Sequence, residues 1–188
     1  MMFFLFLAFV IFQRVCELAI AKRNEKWMKE QGGVEFGKTH YIFIVIVHVL
    51  FFISLCLEVL VQGKEISSYW PALVSLFLVT QIGRIWALSS LGKYWNTKII
   101  VVPQAAVIKK GPYKFLKHPN YLIVTLEFLV IPLLFQAYGT LIAFSLLNAL
   151  ILMIRIPAEE RALCNHTKYN EVFHKTSRFL PLPFMKKM

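Results

Sequence analysis

The chain has 188 residues, 58% of them hydrophobic and 16% charged, and carries a net charge of +11 in which every acid is a glutamate. That composition lies on the membrane side of ordinary soluble domains, and several bilayer-length apolar runs argue for an anionic membrane surface over nucleic acid as the partner of the positive charge. The three cysteines, Cys16, Cys56 and Cys164, have no CxxC spacing, which points to packed thiols and to no metal site.

A helix needs about 20 mostly apolar residues to cross the hydrocarbon core. Five runs qualify, giving an all-α integral membrane protein with transmembrane helices at about 2–21, 40–61, 70–91, 120–136 and 140–156. The first run is not a signal peptide on this reading, because no Lys or Arg precedes it and Arg14 and Glu17 interrupt its end. Lys22 to Thr39 reads as a polar connection broken at Gly32-Gly33 and Gly37. Pro71 suits the first turn of the third helix. Gly92 to Lys117 is a long loop rich in Lys, Tyr and Trp, and Pro132 is expected to kink the far end of the fourth helix. Pro157 to Thr176 alternates charge and apolarity, with Leu163, His166, Tyr169 and Phe173 on one stripe, and reads as a C-terminal amphipathic helix closed by Arg178-Phe179-Leu180-Pro181. No repeat or linker divides the chain, so residues 1–188 are expected to form a single membrane domain.

Charge sets the orientation. Lys22, Arg23, Lys26, Lys29 and Lys38 lie in the first connection and Lys93, Lys98, Lys109, Lys110, Lys114 and Lys117 in the third. Arg161, Lys168, Lys175, Arg178, Lys186 and Lys187 lie in the tail, whereas the alternate connections hold only Lys64. The positive-inside rule then places the N-terminus outside and the basic loops and C-terminus in the cytoplasm.

Polar residues within apolar helices need a reason, and Arg84, Glu127, Asn148, Glu58 and His48 are the candidates. Interhelical pairing explains them without catalysis, and Arg84 with Glu127 is a plausible pair. The stretch GPYKFLKHPNY, Gly111 to Tyr121, is more specific. It joins a basic, aromatic loop to a helix start at Pro119, and His118 and Tyr121, three apart, share a face if that helix begins there. A second cluster, RIPAEERAL, sets Arg155 four residues from Glu159. Alone it reads as a basic anchor followed by acids suited to a helix N-terminus.

The ordered set of GPYKFLKHPNY, a hydrophobic hairpin, RIPAEERAL, a distal Tyr169 and RFLP resembles the isoprenylcysteine carboxyl methyltransferase family, and RNEKWMKEQGGVEFGKTHY and LGKYWNTKIIVVP resemble its bacterial branch. The resemblance implies an integral-membrane enzyme that uses S-adenosylmethionine. It also implies a cofactor site built from residues 92–121 and 155–181. Tyr113, Lys117, His118, Pro119, Tyr121, Glu160 and Tyr169 would bind the cofactor, with Arg155 and Glu159 next to the transferred methyl and the acceptor. Lys117 stands where the family usually has Arg, which keeps the charge but loses the bidentate fork. The acceptor would be lipid-like, either a prenylated carboxylate or an acidic enol or phenol such as an alkylpyrone, entering laterally among the membrane lipids. Two other classes remain open: a related membrane reductase with a nicotinamide cofactor, and a non-catalytic membrane scaffold or small transporter.

Overall fold

The computed structural model describes residues 2–179, so Leu180, Pro181, Lys186 and Lys187 lie outside the described residues. Within them the chain is an all-α membrane protein with one small sheet. Its elements are α1 (Met2–Glu30), β1 (Val34–Phe36), α2 (Lys38–Val61), α3 (Trp70–Leu91), β2 (Ile99–Val101), α4 (Pro119–Leu134), α5 (Tyr138–His166) and α6 (Tyr169–Phe173).

Four helices, α1, α2, α3 and α5, are long and apolar enough to cross a membrane. The fourth run behaves differently from expectation. Proline opens it at Pro119 and closes it after Pro132, leaving only 16 residues, a helix of about 24 Å. It still reaches the far end of the bundle, where the Leu134 carbonyl accepts a 2.9 Å bond from the Ser67 amide in the α2–α3 connection. Its length suffices because it is the inner helix, shielded from lipid along most of its course: Ile123, Phe128, Val130, Ile131 and Leu134 are all buried. Phe128 meets Phe51 of α2 at 4.6 Å between ring centroids, inside a core completed by Leu55, Phe77, Phe135 and Phe144.

Two helices run past their expected ends. The polar stretch Lys22 to Glu30 was expected as loop but continues α1, because Ala21, Asn24 and Met28 recur at helical spacing and are buried. Asn24 donates to the Trp95 carbonyl at 2.7 Å, and Trp27 stands edge-on to Tyr94. Gly32, at φ 79, supplies the left-handed residue on which the helix stops. Likewise α5 does not end at Ile156. It passes through Pro157 to His166, so the expected separate amphipathic helix from Pro157 is instead the last part of α5 followed by the five-residue α6. Pro157 lies inside α5 and has no N–H for the Met153 carbonyl, so the helix continues through it with one bond missing.

At 29 residues each, α1 and α5 are about 44 Å long, longer than the roughly 30 Å hydrocarbon core. Both excesses project at the same, basic end. There the antiparallel pair β1–β2, in register Val34↔Val101 and Phe36↔Ile99, ties the two projections together. Three-residue strands lie below what hydropathy can signal, and the sheet was not expected.

Candidate active site at the basic end of the bundle

Gly111 fixes the loop that enters the site. It sits at φ 57, and a Cβ there would fall 1.9 Å from the Ser90 hydroxyl of α3. The following turn buries Pro112 and Tyr113. Pro119 then starts α4, as expected, and the residue before it, His118, is only 5% exposed. His118 and Tyr121 do share a face: their rings stack at 5.3 Å with 28° between planes.

From the other side, α5 supplies Arg155, Glu159 and Glu160 on successive turns. The two clusters meet. Tyr121 Oη donates to the Glu159 carboxylate and accepts from Arg155 Nε at 2.7 Å. Arg155 Nη2 donates to the Thr97 carbonyl at 2.5 Å. His118 Nε2 lies 3.1 Å from Glu160 Oε1, and Arg178 grips the same carboxylate with Nη2 at 2.6 Å and Nε at 3.0 Å.

The charges are not all answered. Among the described residues Arg155, 5% exposed, makes no ion pair, for its partners are a phenol and a peptide carbonyl. Its Nη1 is buried without any hydrogen-bond partner, as are Tyr169 Oη and Asn120 Oδ1. A buried guanidinium lacking a carboxylate is costly unless an anion completes it.

Beside this chain lies a cavity of about 150 Å³ lined by Tyr113, Lys117, His118, Glu159, Tyr169 and Phe173, among others. Five of the nine expected site residues therefore line one space. Tyr121 and Arg155 lie behind Glu159, while Glu160 is held between His118 and Arg178. Burial foremost, with the nearby Glu159, pushes the Tyr113 phenol well above its usual range, and burial with Glu159 and Glu160 does the same to Tyr169. Both rings stay neutral and present π faces.

The tail closes the cavity. Lys117 N bonds the Ser177 carbonyl at 2.9 Å, Lys109 Nζ reaches the Val172 carbonyl at 2.8 Å, and Lys117 Nζ stands 5.9 Å over the Tyr169 ring. The Glu160 hydrogen bond raises the Arg178 guanidinium further, so this latch is charged at any ordinary pH. Thr97 and Arg178 were given no role from sequence. Arg178 stood in the RFLP signature, whereas Thr97 acts through its backbone, which no side-chain pattern reveals.

The intramembrane polar residues find structural partners. Arg84 and Glu127 pair, as was plausible from sequence, but within a larger cluster that includes Arg14 and Glu17 of α1. Glu58 accepts from the Gly139 and Thr140 amides at the start of α5, Asn148 bonds Thr125, and His48 turns back to the Ile44 carbonyl of its own helix.

The family model for isoprenylcysteine carboxyl methyltransferases matches residues 73–165, the span that holds the loop, α4 and the α5 cluster. The chain is 54% identical over 162 residues to the uncharacterized protein YpbQ of Bacillus subtilis, covering 86% of this chain and 96% of that protein. It is 26% identical over 151 residues to an uncharacterized protein of Haemophilus influenzae, covering 80% and 88%. The chain belongs to the isoprenylcysteine carboxyl methyltransferase family and is an integral-membrane methyltransferase.

Proposed function

We propose that the protein is an S-adenosylmethionine-dependent O-methyltransferase that acts on a lipid-like acceptor bearing an acidic oxygen. The observation that carries this reading is the buried Arg155, which has no carboxylate partner and an unpaired Nη1, linked through Tyr121 to Glu159 on the wall of the cavity.

The residues present fit the cofactor. When bound, S-adenosylmethionine supplies an electrophilic methyl on a sulfonium. The neutral rings of Tyr113 and Tyr169 attract such a cation through their faces, Lys117 and His118 suit its carboxylate, and Glu159 or Glu160 its ammonium or ribose hydroxyls. Arg155 orients an acceptor carboxylate or enolate, which is already ionised near neutral pH and needs no strong base. Methyl transfer from such a sulfonium to an anionic oxygen would cancel one positive and one negative charge and would call for no proton transfer by the protein. Positioning and exclusion of water are the enzyme's contribution.

The 150 Å³ cavity is smaller than the roughly 300–1,000 Å³ of ordinary ligand pockets, so cofactor entry parts the Arg178–Glu160 latch and lifts the tail. The basic end faces the cytoplasm on the charge asymmetry of the loops, the side on which the cofactor is made. A prenylated carboxylate and an alkylpyrone-type enol both suit Arg155. Labelled S-adenosylmethionine binding to the purified protein in native-like bilayers tests the reading: saturable binding supports it, and none, with binding of a nicotinamide cofactor instead, makes the protein a reductase.

A further inference from the structure

A second, larger cleft of about 860 Å³ lies at the same end, between the projecting part of α1 and the start of α2. Its back wall is the segment Asn96–Lys98, pinned by a 2.9 Å bond from Asn96 Nδ2 to the Ala21 carbonyl and by Lys98 Nζ on Glu25 at 2.8 Å. Leu18 and Tyr41 give it apolar sides, and Leu18 is half exposed, as are Val15 of the same helix and Ile42 next to Tyr41.

This cleft and the cavity of the proposed active site share Lys98, and Thr97, another residue of the cleft wall, accepts from Arg155 Nη2 through its carbonyl. Arg155 thus bonds Thr97 of the cleft wall directly and, through Tyr121, Glu159 of the cavity wall. The cleft is also charged in a particular way. Lys29 and Lys98 are neutralised by Glu25 and Glu35. Lys22 and Lys26, one turn apart on α1, are exposed, line the cleft and make no ion pair among the described residues, the neighbouring Glu30 included.

We propose that the α1–α2 cleft is the acceptor's entry site and that it selects a single-tailed amphiphile with an anionic head, captured by Lys22 and Lys26 before the head passes to Arg155. Calling the occupant an acceptor rests on the methyltransferase reading; the preference for an anionic amphiphile does not. The volume fits one tail and a small head and lies within the range of ligand sites. Lysines at a membrane surface attract anionic heads. Methylation of the acidic oxygen leaves a neutral ester or enol ether, so the same lysines let the product go.

The probe is a long-chain carboxylic acid carrying a diazirine in its tail, alongside its methyl ester, with the full chain in phosphatidylcholine nanodiscs and no cofactor. Irradiation is expected to label α1 near Leu18 and α2 near Tyr41 with the acid. The ester should label them roughly tenfold less, as should the acid in the double variant Lys22→Gln/Lys26→Gln. Lys22→Arg/Lys26→Arg should restore the labelling, which separates lost charge from lost fold. Equal labelling by acid and ester, or an unchanged Gln pair, overturns the proposal. Labelling abolished by a matching amount of phosphatidylglycerol also overturns it, making the cleft a bulk-lipid site. Because no cofactor is present, failure to bind S-adenosylmethionine would remove the methyltransferase reading while leaving this result intact.

Discussion

Two groups of buried charge in this molecule are wired differently. Inside the bundle, Arg14, Glu17, Arg84 and Glu127 from α1, α3 and α4 form a closed set of two cations and two anions, with Gln81 donating to Glu127 at 2.8 Å. At the basic end, Arg155 and Glu159 are kept apart by the Tyr121 hydroxyl, and neither has an opposite charge of its own among the described residues. The first group neutralises itself and fastens α1 to the bundle. The second leaves a cation and an anion open side by side, which is what a site for a charged ligand requires. Each group keeps one buried guanidinium nitrogen without a partner, Arg84 Nε and Arg155 Nη1, so neither burial nor hydrogen-bond satisfaction separates the two, whereas the presence of an opposite charge does.

The comparison can be broken from either end. Removing one partner from the closed set strands a buried charge, so Glu127→Gln or Arg84→Ala should cost about 3–5 kcal/mol, read as thermal unfolding in detergent. A paired apolar replacement, Arg84→Met with Glu127→Leu, should recover much of that loss. If either single variant is as stable as the parent protein, the cluster does not hold the bundle.

At the open pair the effect moves from stability to chemistry. Arg155→Ala and Glu159→Gln should insert and melt like the parent protein yet lower methyl transfer about a hundredfold or more, since each removes a group needed only to position the reacting partners. Full activity in both would take them out of the site. The smallest effect is expected at the latch: the Arg178 side chain is 51% exposed, so Arg178→Ala should change stability by less than about 1 kcal/mol. The same variant should speed cofactor association in stopped-flow binding, and a slower association would show that the latch is part of the binding surface and not a closure over it.

Much of this was legible in the residues. The apolar runs set the helices because lipid demands them, and Pro119 marked the start of α4. The shared face of His118 and Tyr121 followed from spacing, while the stacking of their rings is what the structure adds. What escaped did so for identifiable reasons. Arg14 and Glu17 were read only as interruptions of an apolar run, since their partners lie 113 and 67 residues away along the chain. The helical extension of α1 was hidden by its charge, although the buried Ala21, Asn24 and Met28 carried the period. Pro157 looked like a stop, since an interior proline loses one hydrogen bond and crowds the preceding turn, yet the helix runs through it to His166. Thr97 contributes a carbonyl, which every residue possesses, so only the fold could single it out.

The central claim is that the unanswered charge of Arg155 receives an acidic acceptor while other residues hold the cofactor. Membranes carrying the parent protein or Arg155→Ala, supplied with methyl-labelled S-adenosylmethionine, test it through two readings: cofactor bound to the purified protein, and label recovered in the lipid extract. The account predicts cofactor affinity within about threefold for the two proteins, with label entering lipid only with the parent. Undiminished transfer of label to lipid by Arg155→Ala would contradict it.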